Sequence, residues 1–296
     1  MPELPEVEVV RLGLEPAFVG SHIESVRVFD ARSLKRHDSR RGDFVGLLTG
    51  RTVLSTNRRG KFMWFPLSDS TDALVVHLGM SGQVLLRDGT ATAGDKHLRI
   101  QLAITQPARE KAAKNSQHEY LVNFVDQRIF GSMAVDQLVD DGLGGLIPGQ
   151  AAHIARDPLD PLFDDDLFVA RTLRKQTGIK RALLDQQLIS GVGNIYADEA
   201  LWAAQIHGER SSDSLSEQQI RDLLEQVRQV FAKALNEGGT SFDSVYVNVN
   251  GQSGYFSHSL NAYGQQGKPC TRCGVPIVRT TFMNRGSHYC PNCQRS

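Results

Sequence analysis

The sequence predicts an α+β protein: an N-terminal β-sandwich domain led by a helix, then a helical domain that ends in a four-cysteine ribbon hairpin. Three observations carry that prediction. Between about 22 and 136 the chain runs in short stretches rich in Val, Leu and Phe, separated by turn residues, which is the pattern of an antiparallel β unit. Beyond residue 161 the apolar spacing becomes helical. The four cysteines all stand near the C-terminal end, as Cys270-x2-Cys273 and Cys290-x2-Cys293.

Residues 5–18 read as a helix because Val7, Val10, Leu14 and Phe18 recur at helical spacing. The strand candidates are 22–29, 51–55, 62–65, 73–77 and 120–125. The polar stretch 106–119 reads as a long exposed loop with no assigned function, and a Pro-, Gly- and Asp-rich linker spans 142–160. Residues 183–189 read as helical, Gly191-Val192-Gly193 as a turn, and Asn194 as the start of another helix. Such a turn offers backbone N–H groups to a phosphate, but taken alone the signal is weak and a plain tight turn is the preferred reading. Ser216 and Gln219 form a capping box that opens a helix running towards Asn236, where Gly238-Gly239 stops it. The expected domains are 1–141, the linker 142–160, 161–258 and 259–296.

Composition is that of an ordinary globular protein, 40% hydrophobic and 22% charged. No apolar run approaches the roughly 20 residues of a membrane span. The opening Met1-Pro2-Glu3-Leu4-Pro5-Glu6 has neither the basic flank nor the apolar core of a signal peptide, so a cytoplasmic place is expected, at the nucleoid for a DNA binder. The net charge of zero hides a segregation. After Asp243 no acidic residue follows, while Lys268, Arg272, Arg279, Arg285 and Arg295 do; the stretch 51–67 is likewise acid-free and holds Arg51, Arg58, Arg59 and Lys61. Segregation of this kind gives a neutral protein a basic face, the footprint of a polyanion binder.

Two CxxC pairs with sixteen residues between them fit one tetrahedral four-thiolate zinc. A pair of disulfides is the rival, and a reducing cytoplasm argues against it. With four protein ligands the metal has no open position, so it is structural: one Zn2+ holding the 276–289 hairpin, whose tip carries Arg285.

Several blocks then occur together: Pro2-Glu3-Leu4-Pro5-Glu6-Val7-Glu8, Arg58-Arg59-Gly60-Lys61-Phe62, His77-Leu78-Gly79-Met80-Ser81-Gly82, Lys96-His97, Asp126-Gln127-Arg128-Ile129-Phe130-Gly131, the Gly191-to-Glu199 segment, Tyr263-Gly264-Gln265-Gln266-Gly267 and the cysteine hairpin. In this order and over essentially the full length, the chain resembles the formamidopyrimidine-DNA glycosylase family. The resemblance implies a β-sandwich followed by a helix-two-turn-helix domain and a zinc finger. It also implies a bifunctional repair enzyme that excises 8-oxoguanine and formamidopyrimidines and then cleaves the abasic site by β,δ-elimination. The implied partner is double-stranded DNA carrying oxidised purines or abasic sites, bound by a monomer, with no membrane partner.

The implied roles fall residue by residue. Pro2, freed by loss of Met1, is the nucleophile: an α-amine near its ordinary pKa of about 7.7–8.0 is partly neutral, and its iminium cannot lose an N–H proton and so remains an electron sink. Glu3 is the general acid–base and Glu6 its support. Lys61 binds phosphate and serves β-elimination; Arg285 contacts phosphates and assists δ-elimination. His97, Lys180 and Asn194 hold phosphates. Met80, Arg128 and Phe130 fill the space left by the flipped base, with Arg128 reading the orphaned cytosine. Residues 257–266 resemble a loop closing over the flipped purine, and their Gly and Ser content suits a mobile lid.

The chain departs from the family pattern at Gln127, where Pro is common, at Val9, where Thr is usual, and at Gln176, where a phosphate-binding Lys often stands; that last contact is in doubt. The endonuclease VIII branch, which prefers oxidised pyrimidines, is the nearer alternative, and Leu4 with Met80, Arg128 and Phe130 favours the purine branch. A non-enzymatic zinc-ribbon DNA binder would explain the cysteines and basic tail but not Pro2-Glu3 or Lys61.

Overall fold

A computed structural model describes residues 2–89, 95–107, 118–239, 249–250 and 254–295. Met1, and most of the expected 106–119 loop, lie outside the described residues. The chain divides into two compact units. One, rich in strands, comprises Pro2, Glu6–His153 and the described part of 240–254; the other, mostly helical, comprises Glu3–Pro5, Ile154–Gly239 and Tyr255 onward. No described helix is long and apolar enough to cross a membrane.

The strand-rich unit opens on helix α1 (Leu4–Phe18), whose first residues belong to the helical unit. Its expected apolar stripe, Val7, Val10, Leu14 and Phe18, is buried in one core. That core also receives side chains from two antiparallel sheets, which makes the unit a sandwich. The first sheet orders β1 (His22–Val28), β6 (Leu98–Gln106), β7 (His118–Asp126) and β5 (Gly82–Asp88) as β1-β6-β7-β5. The second orders β2 (Asn57–Arg59), β3 (Phe62–Pro66), β4 (Asp72–His77), β8 (Ser132–Asp140) and β9 (Leu146–Pro148) in sequence. A short helix α2 (Phe44–Leu48) adds Phe44 and Leu48 to the same core. Strand β6, which is not among the strand candidates, alternates with Ile100, Leu102 and Ile104 inward.

The helical unit contains α3 (Asp165–Leu173), α4 (Ile179–Leu183), α5 (Asn194–Ala203), α6 (Glu217–Asn236) and the hairpin β10 (Val278–Phe282) to β11 (Arg285–Tyr289). The capping box forms as expected: Gln219 N–H donates to Ser216 Oγ at 3.2 Å, and Ser216 N–H to Gln219 Oε1 at 3.0 Å. Gly238 and Gly239, at φ of 74° and 83°, take the left-handed backbone that ends the helix. Tyr196 and Phe231 meet edge to face at 5.3 Å in the centre of this core.

Three local expectations are corrected. The 51–55 segment forms no strand; its backbone bonds are split between residues 20–23 and 66–68, so it ladders with neither sheet. The 142–160 stretch is not a bare linker, because β9 pairs with β8 and Ile147 is buried. The helix expected over 183–189 ends at Leu183, because Asp185 accepts the Gln187 N–H and so forms a local turn in place of the helix ladder.

Phe231→Ala should lower stability by about 3–5 kcal/mol, the cost of emptying an aromatic core site. A thermal midpoint within a degree of the parent would refute this packing.

Candidate active site

In the helical unit the second described residue of the chain is clamped. The Glu3 carboxylate, only 2% exposed, accepts backbone N–H groups from Gly193 at 2.7 Å, Ile195 at 2.9 Å and Tyr196 at 3.3 Å. These are the unpaired donors at the start of α5, where the helix dipole also favours a negative charge. The anion that the Gly191-Val192-Gly193 turn was suited to receive is therefore the chain's own carboxylate, not an external phosphate. Leu4 N–H donates to Gly191 O at 3.1 Å, locking the same segment. Neither glycine leaves space for a side chain: a Cβ on Gly193 would lie 2.3 Å from Glu3 Cδ, and one on Gly191 would lie 2.6 Å from Leu4 Cδ1. Pro2 itself is buried.

A second acid on α5 holds the ribbon hairpin. Asp198 pairs with the Lys180 ammonium at 2.6 Å and accepts the His288 N–H at 2.8 Å. Lys180, expected at a phosphate, is instead wholly enclosed: its Nζ also donates to Ser287 Oγ at 2.8 Å and lies 4.8 Å from the centre of the Phe282 ring. Burial pulls its pKa below that of an ordinary lysine, and Asp198 opposes that pull. Asn194 has a similar task, its amide donating to Gly286 O at 2.8 Å. Both residues thus brace β11, which begins at the exposed Arg285. Residues 261–263 are tethered as well. Their three N–H groups reach Glu199, whose pKa burial raises, so this part of the expected lid is pinned to α5.

The four thiols are free, and their sulfurs all lie within 4.8 Å of one another. A tetrahedral zinc with bonds of about 2.3 Å needs sulfur separations of roughly 3.8 Å, which this cluster accommodates. Trp202 Nε1–H and Cys293 N–H point at Cys270 Sγ and Cys290 Sγ, each at 3.4 Å, as donors do around thiolate ligands. Gly274, at φ of 77°, makes the knuckle turn.

In the strand-rich unit, Met80, Arg128 and Phe130 are brought together. The 78–82 turn lies so close to the 126–131 loop that a Cβ on Gly79 would sit 2.4 Å from Phe130 C. Asp126 joins the two, accepting Ser81 Oγ–H, Arg128 N–H at 3.1 Å and Gly131 N–H at 2.7 Å. Met80 and Phe130 remain 39% and 44% exposed, on adjoining loops. His97 is attached at the rear, its carbonyl accepting Asp126 N–H at 3.0 Å. Lys61 sits in the β2–β3 hairpin turn behind Gly60, whose φ of 55° the tight turn requires. Glu6 is buried near the start of α1. Two residues on, Glu8 is held below the usual carboxylate range: burial opposes its charge, but Arg11 and Arg58 outweigh it.

Sequence reasoning passed over His77 as a site residue. Burial first, then Arg36, Lys61 and Lys35, push its pKa down to about 4. It is therefore neutral near pH 7, and Nδ1 accepts the Gly79 N–H at 3.2 Å. Only the folded charges around it reveal this; the sequence shows three cations and a histidine scattered over 35–77.

Known proteins can now be compared. Residues 1–133 match the model of the formamidopyrimidine-DNA glycosylase N-terminal domain, 154–245 its H2TH domain, and 267–295 a zinc finger found in FPG and IleRS. The chain belongs to the formamidopyrimidine-DNA glycosylase family. The Leifsonia xyli formamidopyrimidine-DNA glycosylase is 59% identical with both chains covered completely, and that of Thermobifida fusca 54% identical over 99% of this chain and 97% of its own. A Lactococcus lactis FPG mutant bound to Fapy-dG-containing DNA superposes with a TM-score of 0.82 at 30% identity, covering both chains fully. The structure of MutM with carbocyclic 8-oxo-G DNA gives 0.81, again at 30% and complete coverage of both. With the FPG-type finger matched, the four thiols are the zinc site of this family.

Two outcomes are expected. Refolded protein should bind one zinc per chain, and Cys290→Ser should lose it while the strand-rich unit keeps its own unfolding transition; clearly substoichiometric metal in well-folded protein would count against the site. Because His77 has a folded pKa below its unfolded value, the unfolded chain binds the extra proton between about pH 6.5 and 4. This contribution to stability is therefore full above pH 6.5 and is lost as pH falls towards 4. His77→Gln should flatten the pH dependence in that window, and an unchanged profile would refute the assignment.

Proposed function

We propose that this chain is a bifunctional DNA glycosylase of base-excision repair, acting as a monomer in the cytoplasm, at the nucleoid, on oxidised purines and abasic sites in duplex DNA. The observation that carries the reading is the clamp on Glu3. It fixes, directly beside Pro2, a carboxylate whose position is set by three backbone donors, as a catalytic acid–base requires.

The chemistry follows from those neighbours. With Met1 removed, the neutral Pro2 nitrogen attacks the deoxyribose C1′; the base leaves with the bond electrons and takes up the proton that the alkylated Pro2 nitrogen sheds. Glu3 passes a proton to the opening sugar oxygen. The iminium so formed withdraws electrons, the C2′ proton is lost, and the 3′ phosphate departs; a second elimination releases the 5′ phosphate. Lys61 supplies a cation at the phosphate and Arg285 assists the second elimination. Met80, Arg128 and Phe130 occupy the emptied stack, with the Arg128 guanidinium donating to the acceptors of the orphaned cytosine. Lys180 and Asn194 act through the hairpin they brace, Glu6 supports Glu3 from the first turn of α1, and His97 supports the 126–131 loop through its carbonyl. The segments 1–141, 142–160, 161–258 and 259–296 divide this work between catalysis, connection, DNA binding and the zinc finger.

Adding one residue before Pro2 should abolish borohydride trapping on abasic DNA, because an amide nitrogen has no nucleophilic lone pair. Glu3→Gln should lose base excision by at least about 100-fold, as removal of a general acid does, while trapping on a ready-made abasic aldehyde partly survives. Normal trapping by the extended protein, or a cross-link mapped to Lys61, would sink the proline mechanism.

A further inference from the structure

Ile129 occupies the left-handed region at φ of 56°, a conformation a β-branched residue adopts only against strain. The strain lies at the centre of the 126–131 loop, between the two side chains assigned to the emptied stack. Its backbone N–H groups at Arg128 and Gly131 are satisfied by Asp126. Its carbonyls are satisfied from elsewhere in the chain: Lys35 Nζ donates to Ile129 O at 2.8 Å and to Phe130 O at 2.9 Å. Arg99 completes the brace, its Nε donating to Asp126 O at 2.8 Å. Glycine at 79 and at 131 lets the surrounding backbone close in to this distance, since a Cβ at either position would overlap it.

We infer that Lys35 is a positioning residue that holds the strained Ile129–Phe130 backbone, and through it sets how Arg128 and Phe130 are presented to DNA. The inference rests on the reading that these two side chains fill the space left by the flipped base. The physical case is that two carbonyls converge on one ammonium. Carbonyls turned towards each other repel, and the left-handed residue between 128 and 130 is what turns them. A cation between them converts that repulsion into two charge-assisted bonds. Lys35, although solvent-exposed, thereby commits two of its three ammonium donors to backbone carbonyls. Loss of the ammonium frees the loop to relax towards ordinary φ values, which rotates the peptide planes on both sides of Phe130. Preorganised wedges are sensitive to such a change, because a shift of about 1 Å at a positioning group can cost on the order of 100-fold in rate.

The experiment compares wild type, Lys35→Met, Lys35→Arg, Lys35→Met with Ile129→Asn, and Arg128→Ala. Single-turnover excision of 8-oxoguanine is measured opposite cytosine and opposite adenine, with the salt dependence of duplex Kd. Lys35→Met should lower the cytosine-to-adenine rate ratio at least about 3-fold with no change in the salt slope. Lys35→Arg should restore the ratio, and so should Ile129→Asn, because Asn accepts the left-handed region more readily. If the salt slope instead falls by about one while the ratio holds, Lys35 is a phosphate contact and the inference is overturned. It is equally overturned if Lys35→Met alters neither quantity while Arg128→Ala abolishes the preference, and in that case the wedge reading stands. An unchanged ratio in Arg128→Ala overturns the wedge reading, and the inference with it.

Discussion

The helical unit depends on one electrostatic arrangement: a carboxylate from the third residue seated on the open end of α5. A helix N-terminus presents donors that the helix cannot use itself. Most proteins cover them with a local capping side chain, yet Gly193 at the cap position of α5 offers none. Glu3 fills the role from 190 residues away. Burial of a lone carboxylate would be prohibitive, and three N–H bonds with a favourable dipole make it tolerable. The two glycines, the buried Leu4 and the start of α1 all follow from that one contact.

The same helix is a hub for acids with different tasks. Asp198 ties down the hairpin and Glu199 the 261–263 segment, both facing backbone N–H groups. Consecutive residues of a helix point in different directions, so neighbours in sequence serve separate elements. Lys180 shows how misleading a cation's identity can be. In a chain with a segregated basic face it looks like a phosphate ligand, while the fold uses it to neutralise Asp198 in a place that water does not reach.

Much of the architecture was legible in the sequence because its signals are local. The α1 stripe, the Ser216 capping box and the cysteine spacing each depend on residues a few positions apart. The failures share a cause. The 51–55 segment has the composition of a strand, but its partners are fixed by tertiary placement, which composition does not carry. The 183–189 helix stopped at an acid making a local turn, a competition that periodicity does not register. For the site, the motifs of the family named the residues, whereas the depressed His77 pKa, the enclosed Lys180 and the Lys35 brace arise from groups far apart in sequence and could be seen only once folded.

The separation between Glu3 and its donors also orders events in time. A growing chain exposes its N-terminal residues first, and domains generally fold in order of synthesis. The donors on Gly193, Ile195 and Tyr196 emerge only after all the strands of the strand-rich unit have been made. Until then the Glu3 carboxylate has no seat, while the strand-rich unit can already pair its strands. The Glu3 carboxylate is thus seated late, when α5 is present to hold it. A truncated product of the first 140 or so residues would carry Glu3 and still lack the backbone donors that seat it.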